Sequence, residues 1–140
     1  MEKKLSPVSL RTITNSDTEF LFKLLKERDP RANISHKKMP SYNQHVNFIK
    51  SKPYTKWYII MKYKEKVGSI YLSKNDEIGI FLSKKYQGKN IGNDALAELI
   101  QKNPRERYLA NVNPKNKKLI EFFKNNNFKI LQYTYELNCE

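Results

Sequence analysis

The segment Tyr86-Gln87-Gly88-Lys89-Asn90-Ile91-Gly92-Asn93 has the residue types and spacing to hold a phosphate group. It falls between a stretch predicted as a strand and one predicted as a helix. At such a junction the first N–H groups of the helix point outward, and the helix dipole adds positive potential. Gly88 and Gly92 permit close backbone approach, and Lys89 adds charge. A Walker loop is excluded because no Gly-Lys-Ser/Thr follows at the required spacing, and a dinucleotide fingerprint because Gly-x-Gly-x-x-Gly is absent. An ordinary strand-to-helix loop, with glycines for turning, fits the same spacing. The other groups able to do chemistry are few. Glu77 opens a predicted strand. His36, in the segment Ile34–Pro40, would titrate near neutral pH. His45 sits beside Val46 on a predicted helix, where a partly buried structural role is expected. Cys139 has no partner for a disulfide and no zinc spacing around it, and reads as an exposed bystander thiol.

The elements that must position these groups follow from periodicity. Val8–Thr14 alternates as a strand. Ser16 with Glu19 fits a capping box for a helix carrying Phe20, Leu21, Leu24 and Leu25. Residues 31–40 read as a loop, and a second helix runs from Ser41 to the stop at Lys52-Pro53. Lys56–Tyr63, Val67–Leu72 and Glu77–Leu82 form an antiparallel meander joined by polar turns. A helix with Ile91, Ala95, Leu96, Leu99 and Ile100 follows. Arg107–Val112 reads as a strand, a helix from Pro114 carries Leu119, Ile120, Phe122 and Phe123, and Phe128–Leu137 supplies one or two more strands. This order predicts an α/β (mixed α+β) fold: one domain over residues 1–140, with a mixed, mostly antiparallel sheet of six to seven strands and about four helices on its faces.

Composition bounds the partners. The 140 residues are 39% hydrophobic and 12% aromatic, enough for a packed core and against disorder. Twenty-seven Lys and Arg against 14 Asp and Glu leave +13, which favours polyanions. Because 22 of the cations are Lys, spread from Lys3 to Lys129, the surplus also fits a solvated surface without a dedicated partner. No run approaches a membrane span, and the first residues lack an apolar signal core, so a cytoplasmic protein without a membrane partner is expected. A basic nucleic-acid-binding module is the competing reading. It lacks an Arg-dense recognition helix and an aromatic RNA-binding signature.

The run from Phe81 to Gly92, with Gln87, Gly88 and Gly92 after a hydrophobic strand, resembles motif A of the GNAT acetyltransferase superfamily. Glu77-Ile78-Gly79 upstream is similar to the branch holding ribosomal-protein and amino-sugar acetyltransferases. Asn113–Asn116, Leu119–Phe123 and Asn127-Phe128 resemble the family's Asn-x-x-(Ala/Ser)-x-x-x-Tyr-x-x-x-Gly-Phe segment. Three positions depart from the pattern. Asn90 and Asn127 stand where glycines are usual, a swap that left-handed backbone tolerates best. Phe123 stands where many members carry the Tyr that protonates the leaving thiolate, and Phe has no proton to give.

The resemblance implies transfer of acetyl from acetyl-CoA, as co-substrate and without a metal, to a primary amine. Backbone N–H groups of Gln87, Gly88, Lys89, Asn90, Ile91, Gly92 and Asn93 would hold the pyrophosphate. The strand edge at Phe81 and Leu82 would pair with the pantetheine arm, and the Leu82 N–H would polarise the thioester carbonyl. Asn116 would order that arm, and Phe123 would pack beside the sulfur. Glu77 is the first candidate base and His36, in the region where the family shapes its acceptor site, the second. The aromatics Tyr54, Trp57, Tyr58 and Tyr71 read mainly as sheet-face residues, one or two of which would stack on a sugar or base. A small acceptor is expected, a nucleotide-linked amino sugar foremost. A homodimer is compatible with the sequence. The missing Tyr at 123 also keeps open a catalytically inactive acyl-CoA sensor of the same fold.

Overall fold

The computed structural model describes residues 6–28 and 39–139. Its sheet is a four-stranded antiparallel meander in chain order, β1 Val8–Thr12, β2 Lys56–Lys62, β3 Glu65–Leu72 and β4 Ile78–Leu82. Helices α1 Thr18–Glu27 and α2 Tyr42–Lys50 intervene between β1 and β2. Helices α3 Ile91–Lys102 and α4 Lys117–Asn125 follow β4.

Alternation along the strands sorts the side chains to two faces. Leu10, Tyr58, Ile60, Ile70, Leu72, Ile78 and Ile80 join Ile91, Ala95, Leu96 and Leu99 of α3 and Phe123 of α4 in the main core. On the opposite face Ile59 meets Leu21 of α1 and Ile49 of α2, with Trp57 and Met61 against them. Each fully buried aliphatic, such as Ile60 or Leu99, contributes about 1.5–3 kcal/mol. The mixed, sheet-plus-helices class expected from the sequence is therefore present.

Among the described residues the strand count is four, not the expected six or seven. Arg107–Val112 makes one parallel bridge, Glu77 to Leu109, and no ladder. Ile78 N–H donates to Leu109 O at 2.7 Å and Leu109 N–H to Asp76 O at 2.9 Å. Phe128–Leu137 forms no strand either. Ile130, Leu131, Tyr133, Tyr135 and Leu137 alternate or cluster as strand residues do, yet all are at least 65% exposed. A strand needs a partner edge as well as a pattern, and this segment joins none of the β-ladders of the described residues.

Helix starts also differ in detail. The capping box before α1 belongs to Thr14 and Asp17 around a 3-10 turn at Asn15–Asp17, two residues earlier than the expected Ser16 and Glu19. Ser41 caps α2 as expected, reciprocally with Gln44. Helix α4 starts at Lys117, with Asn116 as its cap, and Pro114 lies in the preceding turn. Asp17 is fully buried, clasped by Arg11 at 2.9 and 3.0 Å and by Lys66 at 2.6 Å. This pins the start of α1 to both β1 and β3.

Candidate active site

The junction between β4 and α3 turns through left-handed backbone. Gly88 has φ +76° and Asn90, the N-cap of α3, has φ +61°. Asn90 thus adopts the conformation usually given to Gly. Asn127, at φ +69°, does so after α4. Tyr86 Oη donates to Glu65 at the β2–β3 hairpin, and Gln87 Nε2 donates to Leu82 O at 3.1 Å. These contacts hold the turn open. The N–H groups from Gly88 through Asn93 have no partner among the described residues. They surround a helix N-terminus, with Lys85 and Lys89 over the Tyr86 ring nearby. Dipole and donor count together make this a candidate anion cradle.

Gly92 has a packing role. A Cβ there would lie 2.9 Å from the Phe122 ring, so this glycine lets α4 pack on the first turn of α3. Gly88 is the open position, with nothing within 4 Å of the place a Cβ would take.

The edge of β4 is the second component. Ser73 N–H donates to Glu77 O and Ser83 N–H to Val67 O, both at 2.9 Å. In an antiparallel ladder this parity turns residues 77, 79, 81 and 83 toward β3 and residues 78, 80 and 82 outward. Ile78 uses its outward N–H on Leu109. After that single bridge the pairing stops. The N–H and C=O of Ile80 and the N–H of Leu82 have no partner among the described residues. A short, unpaired strand edge thus leads directly into the anion cradle.

Glu77 stands at the start of this edge. Ser73 Oγ donates to Oε1 at 3.1 Å and Asn111 Nδ2 donates to Oε2. The Glu77 N–H in turn donates to Ser73 Oγ at 3.0 Å. The carboxylate is therefore oriented by two neutral donors, with no ion pair to Lys74 among the described residues. Asn111 gave no signal in the sequence, because its role depends on a contact across 34 positions. His36 lies outside the described residues.

A cavity of about 580 Å³ opens on the face of the sheet covered by α1 and α2. Tyr54 stacks on Tyr71 with centroids 3.7 Å apart, and Trp57 stands edge-on to Tyr54 at 4.9 Å. Gly79 makes room for Tyr71, whose ring would come within 2.1–2.4 Å of a Cβ there. Burial pushes both phenols above their ordinary pKa, so they remain protonated. The Arg28 guanidinium lies 4.1 Å from the Phe81 ring centroid. His45 is 5% exposed, and burial lowers its pKa, favouring neutral imidazole. A second cavity of about 340 Å³, lined by Glu77 and Asn111, shares Phe48, Tyr54 and Tyr71 with the first.

The expected site residues are thus dispersed in a definite way. Phe81 and Leu82, Gln87 through Asn93, and Glu77 lie along one strand edge and its following turn. Phe81 itself directs its backbone to β3 and its ring into the larger cavity. Asn116 accepts from Leu119 N–H at 3.3 Å, capping α4. Phe123 is 5% exposed in the main core, edge-on to Phe122.

The Acetyltransferase (GNAT) family model matches residues 18–128. Among solved structures, a domain from Methanocaldococcus jannaschii aligns with a TM-score of 0.79 at 22% identity, covering 92% of each chain. RimL, a ribosomal L7/L12 alpha-N-protein acetyltransferase in complex with coenzyme A, aligns with a TM-score of 0.72 at 17% identity, over 89% of this chain and 81% of that one. A spermidine N-acetyltransferase of Vibrio cholerae aligns with a TM-score of 0.67 at 13% identity, over 85% and 77%. No curated protein sequence matches significantly.

Proposed function

This chain belongs to the GNAT acetyltransferase family, and from that premise we propose that it is an acetyl-CoA-dependent N-acetyltransferase acting on a primary amine of a small molecule. The observation that carries the reading is the unpaired β4 edge running into the open N-terminus of α3. Bound acetyl-CoA supplies an acetyl group already activated as a thioester. The N–H groups from Gly88 through Asn93 would hold its pyrophosphate, and Ile80 and Leu82 would hydrogen-bond its extended arm as an added strand.

Glu77 would take the proton from the acceptor ammonium, since only the free amine is a nucleophile. Strand spacing supports one backbone donor over the other for the reacting carbonyl. At about 3.4 Å per residue, Glu77 is about 10 Å from Ile80 and about 17 Å from Leu82. A glutamate side chain with one bridging water covers the first gap and not the second. We therefore assign the carbonyl-polarising N–H to Ile80 and leave Leu82 to the arm. The family's tyrosine donor has no counterpart at Phe123, so the leaving thiolate would take its proton from solvent. The two linked cavities would receive the acceptor, a class that includes the nucleotide-linked amino sugar expected from the sequence.

The test is calorimetric titration of coenzyme A into the parent chain, Gly88→Asp and Gly88→Asn. Both side chains tolerate the left-handed backbone and have open space. Asp places a negative charge in the cradle and should weaken binding at least tenfold. Asn should change it little. Absence of binding to the parent chain, or equal affinities for the Asp and Asn variants, would overturn the placement.

A further inference from the structure

We propose that the Tyr71 hydroxyl is a second donor to the reacting carbonyl, beside the Ile80 N–H, and so a further catalytic residue of this site. This rests on the acetyltransferase reading and adds a side chain to the backbone donor assigned there. It is a different place from the family's tyrosine position. Phe123 packs in the main core with Ile80, whereas Tyr71 comes over the strand from the opposite face, where it lines both cavities.

The position follows from register and from one missing Cβ. Tyr71 on β3 lies opposite Gly79 on β4. A Cβ on Gly79 would fall 2.1 Å from Cζ, 2.2 Å from Cε2 and 2.4 Å from Oη of Tyr71. Adding one C–C bond of about 1.5 Å, the hydroxyl oxygen lies within about 4 Å of the Gly79 Cα, and the Ile80 nitrogen is two bonds further on. The Ile80 N–H points outward in the plane of the sheet, and the phenol reaches over the same spot from the acceptor face. Two donors from two directions thus converge beside the strand edge. The ring is held there by its stack on Tyr54, with centroids 3.7 Å apart and planes 4° apart. A donor fixed in place before reaction is the effective kind, and removing one typically costs about 10²–10³-fold in turnover. Burial first, with the Glu77 charge adding to it, outweighs the lowering by Tyr54 and Arg28 and raises the phenol's pKa, so it stays protonated and can donate. As the amine nitrogen bonds to the thioester carbon and the C–S bond breaks, the phenol lends a hydrogen bond to the carbonyl oxygen and keeps its proton. The ammonium gives up two protons, the first to Glu77 and the second to water, and the thiolate takes one from solvent.

The test needs no acceptor amine. Acetyl-CoA carrying carbon-13 in its carbonyl is bound to the parent chain and to Tyr71→Phe, and the infrared stretch of that carbonyl is read in each. Phenylalanine keeps the ring and its stack on Tyr54 and removes only the hydroxyl. A hydrogen bond lost from the oxygen leaves the carbonyl less polarised, so the stretch should move to higher frequency in Tyr71→Phe. Calorimetry on the same pair gives a second readout. Affinity for acetyl-CoA should fall about two- to tenfold, the value of one neutral hydrogen bond. Affinity for coenzyme A, which has no acetyl carbonyl, should stay unchanged, and its retention also shows that the variant is folded. An unshifted stretch in Tyr71→Phe, or equal losses of affinity for acetyl-CoA and coenzyme A, would overturn the assignment. Failure of the acetyltransferase reading looks different, because the parent chain itself then binds neither compound.

Discussion

Glu77→Gln isolates proton acceptance from shape, and the surrounding contacts set what else the change does. In the parent chain both carboxylate oxygens accept, one from Ser73 and one from Asn111. Glutamine keeps an oxygen for Ser73 but turns an NH2 group toward the Asn111 NH2 group, unless Asn111 flips its amide. Loss of a general base lowers turnover by about 10²–10⁴-fold, equivalent to about 2.7–5.5 kcal/mol in the barrier. Loss of one orienting hydrogen bond to a charged group is worth about 1.5–3 kcal/mol. The two effects overlap in size, so Asn111→Ala is the necessary companion. It leaves the base in place but releases one oxygen. Release of coenzyme A thiol, followed against pH with a saturating amine, separates them. Glu77→Gln should lose the acidic limb of the rate profile, with coenzyme A affinity nearly unchanged. Asn111→Ala should lower the rate less and keep the limb. Retention of nearly full turnover by Glu77→Gln, with loss in His36→Ala, would refute the assignment and place the base in the segment around His36.

The remaining predictions concern stability and the core. Burial raises the Asp17 pKa, but Arg11, Lys66 and the Thr14 N–H more than offset it and hold the carboxyl well below the usual carboxylate range. Its contribution is therefore present above about pH 4, the unfolded value, and is lost progressively as pH falls further toward the folded one. Asp17→Asn should cost about 3–5 kcal/mol at pH 7 and flatten the acid limb of a denaturation series. Gly92→Val should lower the melting temperature, through about 1–3 kcal/mol of overpacking against Phe122, and an unchanged transition would contradict that contact. Phe123→Tyr should bury a phenol without an available partner in the main core. A loss of about 1–3 kcal/mol in denaturant is expected, with no gain in rate. A rate gain above about 100-fold would mean that the hydroxyl reaches the leaving group after all.

What could be read from the sequence was local. The three-strand meander follows from alternation and polar turns, and Asn90 and Asn127 follow from the tolerance of Asn for left-handed backbone, seen at φ +61° and +69°. What escaped was pairwise across distance. Alternation at Arg107–Val112 and Phe128–Leu137 signals strand propensity but carries no information about a partner edge, and among the described residues one bridge at Leu109 is all that forms. Gly79 and Tyr71 each have an unremarkable neighbourhood in sequence. Cross-strand register sets them opposite one another, and only the missing Cβ lets the phenol lie where it lines both cavities. Asn111 becomes an orienting residue because the Leu109 bridge brings residues 107–112 alongside Glu77. The early end of that pairing therefore has two consequences. It brings Asn111 to Glu77, and it leaves Ile80 and Leu82 unpaired at the edge where the thioester would lie. A longer β4 ladder would satisfy those backbone groups and close the edge, so the incomplete strand is the feature on which the proposed chemistry depends.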